Sequence, residues 1–247
     1  KIYFPADGVG PWPVIVFSHG LGGSRDGYAY LGEHWASCGY VSVHLQHEGS
    51  DDSLWRGKGG LAAAMQGMRS GINAQTATDR MGDVHFAVQQ LHKMNAAPGP
   101  WAGKFDLAEL GMAGHSYGAW TTLTAAGEKV SGGQSFAEPE FKAAIAMSSN
   151  ASLIPGAAAT AYSDIKIPIL HMTGTEDQLP LPGNKPVDRR AAFDGISDAN
   201  GADQYLVTFE GGDHMVFSGR TRLLPARARR DERFHALTLA STTAFWD

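Results

Sequence analysis

Six short apolar runs punctuate the chain, at residues 14–17, 41–45, 110–113, 143–147, 167–172 and 205–209. Several are apolar at consecutive positions, which fits strands covered on both faces rather than half-exposed ones. Between them the spacing turns helical. Tyr28, Leu31, Trp35 and Cys38 recur at i, i+3, i+7 and i+10, with Gly39 as a stop. Met81, Val84, Val88 and Leu91 share that spacing, and Leu237 and Phe245 suggest a last helix. Cys38, the chain's one cysteine, falls on the first stripe and is expected in the core. Strand and helix in this alternation imply an α/β fold, a mostly parallel sheet with helices on both faces. The 247 residues are read as a single domain, 1–247, with little or no cap.

In such a sheet ligands gather where strands end. The residues to read closely are therefore 18–23, 46–52, 115–118, 148–150, 174–178 and 211–214. Gly114-His115-Ser116-Tyr117-Gly118 matches G-x-S-x-G, after an apolar run and before "AWTTLTAA". The pattern has a steric reason. A serine at the tip of a tight strand-to-helix turn holds an unfavourable backbone conformation, and side chains two residues either side would collide with backbone. The turn lifts Oγ clear of the sheet and puts the next N–H at a helix N-terminus. Ser116 is thus the expected nucleophile.

A serine hydroxyl needs a base, and the base needs an orienter, in the chain order serine, acid, histidine. His214 follows "YLVTFEGGD" on a Gly-rich loop and is the expected base. His171 lies inside an apolar run and His235 in the last helix. For the acid, Asp177 ends "IPILHMTGTED", with Glu176 as its competitor; Asp213 adjoins the histidine too closely to reach back to Nδ1. The oxyanion donors are expected to be the amides of Tyr117 and Leu21. The second lies in "SHGLGGSRDG", which resembles the His-Gly segment of lipases and esterases. Trp55, Met215 and Phe217 are candidate apolar walls for substrate.

From "VIVFSHGLGG" through "GHSYG" and "GTED" to "GGDH" the chain resembles the α/β-hydrolase superfamily along nearly its whole length. The stretch from "FSHGLGG" to "HEGSDD" is similar to the platelet-activating-factor acetylhydrolase group. The layout resembles dienelactone hydrolases and cutinase-type polyester hydrolases. There are two departures. The acetylhydrolase group carries its acid after the strand that follows the elbow, where this chain has Ser148-Ser149-Asn150. Dienelactone hydrolases use a cysteine where this chain has Ser116. The resemblance implies a serine esterase acting on short, medium or aromatic acyl esters, polyesters included. A lipase or phospholipase A2-type acetylhydrolase, and an amide or peptide hydrolase, stay open as alternatives. A non-catalytic binding protein would be expected to lose a triad residue.

No metal or organic cofactor is expected, since that chemistry needs none; His44 and His47 lack a third ligand and read as structural. A formal net charge of −5 gives no reason to expect nucleic acid. Arg220, Arg222, Arg227, Arg229 and Arg230 read as a solvated linker rather than a polyanion site. No apolar run approaches a membrane span. The chain opens on Lys1 inside a strand pattern and ends as if within a helix, so residues are expected beyond both ends. A removed signal peptide would leave such a start, and secretion or a periplasmic location is the expectation. Residues 49–74, long and Gly-rich, read either as a segment that arches over the site or as plain surface loop.

Overall fold

Each of the six apolar runs overlaps a strand of one seven-stranded sheet. The computed structural model describes residues 1–150, 158–179, 185–196, 201–219 and 225–247. The strands are β1 (Ile2–Tyr3), β2 (Trp12–Ser18), β3 (Val41–His44), β4 (Phe105–His115), β5 (Phe141–Met147), β6 (Ile169–Glu176) and β7 (Gln204–Asp213). Their order across the sheet is β1-β3-β2-β4-β5-β6-β7. β1 runs antiparallel to β3, and every other pairing is parallel.

The helices are α1 (Ala29–Ser37), α2 (Leu61–Ser70), α3 (Ala74–Ala96), α4 (Tyr117–Ala126), α5 (Ala158–Ala161), α6 (Ala191–Gly195) and α7 (Pro225–Trp246). Along β2, alternate residues enter different cores. Ile15 and Phe17 pack with Leu31 and Trp35 of α1 and Phe234 of α7. Val14 and Val16 pack with Val84, Val88 and Leu91 of α3. Both faces are apolar because both are covered, and this produces the unbroken apolar runs of the sequence. α4 closes a third cluster, with Leu123 against Ala144, Ala146 and Ile169. Full burial of a Leu or Val is worth about 1.5–3 kcal/mol, so these rows hold the helices in place.

Two expectations are corrected here. Cys38 is exposed. α1 ends at Ser37, so Cys38 is already a cap residue, its amide turned to the carbonyls of His34 and Trp35, and it leaves the buried stripe. Residues 49–74 are not plain loop: they hold a 3-10 turn, Asp52–Leu54, and α2. The run Leu61-Ala62-Ala63-Ala64-Met65 is strongly helix-forming, but its glycine borders read as loop. The stretch 151–161 lies mostly outside the described residues. So do Arg220 and Arg222; Arg230 reaches Glu176 at 3.2 Å.

The parallel register aligns strand ends. Ser18 sits beside Gly114, Gly114 beside Ala146, and Met147 beside Met172. The loops after β2, β4, β5, β6 and β7 therefore open on the same edge of the sheet.

Candidate active site

Ser116 lies between the end of β4 and the first turn of α4, with φ 58° and ψ −118°. A non-glycine residue seldom holds such a φ, at a cost of about 1–3 kcal/mol. The flanking glycines permit it. A Cβ on Gly114 would overlap the carbonyl of Gly118, and one on Gly118 would overlap that of Ser18. The Ser116 amide donates to Met147 O at 2.9 Å, which pins the turn to β5.

His214 opens a short 3-10 turn (His214–Phe217) directly after β7. Its Nε2 is 2.9 Å from Ser116 Oγ, and its Nδ1 is 2.8 Å from Asp177 Oδ1. The carboxylate can only accept, so Nδ1 carries the proton and Nε2 is free to accept from the serine hydroxyl. Asp177 is buried just past β6. Its other oxygen accepts from Ser148 Oγ at 2.5 Å and Thr173 Oγ1 at 2.9 Å, and Arg189 Nε lies 3.2 Å from Oδ1. Burial by itself would raise the Asp177 pKa. The hydrogen bonds and charges of His214 and Arg189, with the Ser148 hydroxyl, outweigh it and hold the carboxyl below its usual range.

The other candidates lie elsewhere. Glu176 is an exposed partner of Arg230. The Asp213 carboxylate caps the Met215 amide at 3.0 Å. His171 is buried against Gln204 Oε1 at 2.7 Å, and His235 packs on the Tyr30 ring. Among the described residues no group of three His, Cys, Asp or Glu is placed to hold a metal ion.

The loop after β2 runs beside the elbow: a Cβ on Gly20 would stand 3.3 Å from the Ser116 Cβ. Within it the Gly22 amide donates to Ser50 O and the Gly23 amide to Gly20 O. The amides of Leu21 and Tyr117 donate to no carbonyl or side chain among the described residues. Of the expected walls, Trp55 and Met215 are about 40% exposed, and Trp55 Nε1 donates to Gly22 O at 2.7 Å. Phe217 is not a wall. It has no exposed surface and stacks on Phe209 within the core, because the 3-10 turn points it inward.

Several residues around the site had no sequence signal. His115, the variable position of the elbow, accepts from Tyr28 OH at 2.8 Å and donates through Nε2 to the His214 carbonyl at 2.8 Å. Burial pushes its pKa down to about 3, so it is neutral and keeps this tautomer. Arg189 sits in "PVDRR", a run that reads as charged surface. Ser148 was visible only as a strand-end residue. Arg80 is buried under the loop after β2.

The family model described as "Serine hydrolase (FSH1)" matches residues 45–185, and that of platelet-activating factor acetylhydrolase, isoform II, matches residues 4–56. No curated protein matches the sequence. Among solved structures, the chain is similar to a putative dienelactone hydrolase from Klebsiella pneumoniae subsp. pneumoniae MGH 78578. The identity is 15% and the TM-score 0.65, covering 96% of this chain and 90% of that one. At that identity the likeness concerns the fold, which is the α/β-hydrolase fold.

Proposed function

The chain belongs to the serine hydrolase (FSH1) family, and from that premise we propose that it cleaves carboxylic esters with Ser116 as nucleophile, His214 as base and Asp177 as orienter. The line of hydrogen bonds from Asp177 through His214 to Ser116 carries the proposal. As Oγ attacks the carbonyl carbon, His214 takes its proton, and the carbonyl oxygen becomes an oxyanion held by the amides of Leu21 and Tyr117. The tetrahedral species collapses; His214 returns the proton to the departing alcohol, leaving an acyl-Ser116. Water, deprotonated by His214, then releases the acid. Asp177 accepts from Nδ1–H throughout and stabilises the imidazolium between steps.

For substrate we propose short or medium acyl esters and aromatic esters, including those of polyesters. Trp55 and Met215 offer exposed apolar surface beside the loops of the site. A site with little or no cap would bury little of a long chain, at about 0.8 kcal/mol per CH₂. A phospholipid acetyl ester is the second reading, favoured by the acetylhydrolase model over residues 4–56.

A panel of nitrophenyl esters from acetate to palmitate, with a terephthalate diester and a platelet-activating-factor analogue, tests this. The expected result is highest kcat/KM at short to medium chains and a loss of about 10⁴-fold or more in Ser116→Ala. Comparable turnover by Ser116→Ala, or cleavage of none of the esters, would overturn it.

A further inference from the structure

Arg80 on α3 is fully buried, yet the proposed chemistry leaves it no part. Its Nε donates to Ser50 Oγ at 2.9 Å. Its Nη1 donates to His19 O at 2.9 Å, Ser18 Oγ at 3.2 Å and Thr121 Oγ1 at 3.3 Å. None of these four acceptors is a carboxylate. Nη2 is buried with no hydrogen-bond partner. The guanidinium carbon stands 4.1 Å from the centre of the Tyr117 ring. The contacts fall on three segments: His19 and Ser18 lead directly into the loop that carries Leu21, Ser50 in the loop after β3 takes the Gly22 amide of that same loop on its carbonyl, and Tyr117 and Thr121 lie in the first turn of α4.

The surroundings hold the same loop from the far side. Ser18 Oγ lies 2.9 Å from His47 Nε2, and His47 Nδ1 lies 2.8 Å from Asp83 Oδ2. His47 donates its amide to His19 Nε2, and His19 Nδ1 faces Gly20 O at 2.8 Å. Burial keeps both histidines neutral: His19 is pushed down to about 3 and His47 well below its ordinary range. Burial also lowers Arg80, to about 10, so it stays charged at neutral pH. A buried cation with only neutral acceptors is costly to keep. A planar five-donor fork can span these segments in a way that a lysine cannot.

We infer, on the reading of Ser116 as nucleophile, that Arg80 is a positioning residue that clamps the Leu21 loop to the start of α4, so that the Leu21 and Tyr117 amides face the same oxyanion. A loosened clamp spoils the transition state more than the ground state, because the oxyanion exists only there.

Arg80→Gln and Arg80→Lys are the test, with nitrophenyl acetate as substrate and an organophosphate titration of Ser116 to count competent sites. Per titrated site, kcat is expected to fall about 10–100-fold in both, with KM changed by less than about three-fold and the pH dependence of kcat/KM unmoved. Two results would overturn the clamp: unchanged per-site kcat despite a lowered Tm, or full recovery in Arg80→Lys. Should the Arg80 variants fail to fold, Ser50→Ala and Thr121→Val each remove one acceptor. A fall in per-site kcat in both supports the clamp, and wild-type values in both reject it. If the organophosphate leaves wild-type Ser116 unmodified, the nucleophile assignment itself fails and the clamp with it.

Discussion

Two adjacent carboxylates stand at the end of β6, Glu176 as its last residue and Asp177 just past it, and their surroundings differ in kind. Asp177 is buried and touches His214, Ser148, Thr173 and Arg189, whereas Glu176 is exposed and meets Arg230. Asp177→Asn keeps the shape but lets the amide stabilise the wrong imidazole tautomer, so kcat is expected to drop by about 10³–10⁴. Glu176→Gln loses one exposed ion pair, worth at most about 1 kcal/mol, and is expected to leave kcat within two-fold of wild type. Steady-state kinetics of the two variants checks the ranking; the reverse order would move the role to Glu176. At this scale the sequence singled out Ser116, His214 and Asp177 because each follows a strand, and the fold brings the three side chains together. The sequence was mute about their supports. Arg80 illustrates why: it lies on the i, i+4 row of Thr76, Val84 and Val88, where an apolar residue is the ordinary occupant. Row position alone does not tell a buried guanidinium from a solvated one.

Elements differ in how firmly they are seated. α3 begins with a capping box, the Asn73 side chain on the Thr76 amide and the Thr76 hydroxyl on the Asn73 amide, and buries Met81, Val84, Val88 and Leu91. α2 buries no residue and rests on the turn Asp52–Leu54, where a Cβ on Gly67 would overlap the Leu54 carbonyl. With so little apolar contact, α2 is expected to open locally at low cost. Amide hydrogen exchange read by mass spectrometry should show 61–70 exchanging well before 74–96. Equal protection would mean that α2 is docked as firmly as the core. The same difference explains what was legible. The strands and α3 bury continuous rows, which mark the sequence. α2 leaves no such row, and only its Ala-rich composition hinted at it. Phe217 looked like a wall because it follows His214 closely, but three residues of 3-10 turn suffice to point it inward.

Across the whole molecule, five of the ten histidines share an unusual state. His19, His44 and His115 are pushed down to about 3 and His171 to about 4, and His47 lies well below its ordinary range, in each case chiefly by burial. Each binds a proton readily when unfolded and not when folded. Stability is therefore intact above about pH 6.5 and lost as pH falls toward the folded-state values, by about 1.4 kcal/mol per histidine per pH unit. Asp83, raised to about 6 by burial, acts in the opposite sense below pH 6 and offsets part of this. Asp177, held low, contributes fully above the ordinary carboxylate range and loses that contribution as the pH falls through that range toward its lower folded value. The net loss by pH 5.5 is several kcal/mol, comparable with the stability of a typical domain. Melts at pH 7 and pH 5 should differ in Tm by roughly 10 °C or more. A Tm that holds to pH 5 and drops only below pH 4 would show that these rings are not neutral in the fold.

The covalent intermediate is the most direct test of the central claim, that Ser116 attacks an ester carbonyl with His214 as its base. Wild-type protein and His214→Ala are each mixed with nitrophenyl acetate, quenched in acid within the first turnover, digested and mapped by mass spectrometry. The expected result is one acetyl group on Ser116 in the wild type and none above background in His214→Ala on the same timescale. Acetylation at another residue with Ser116 unmodified, or equal labelling of Ser116 with and without His214, would contradict it.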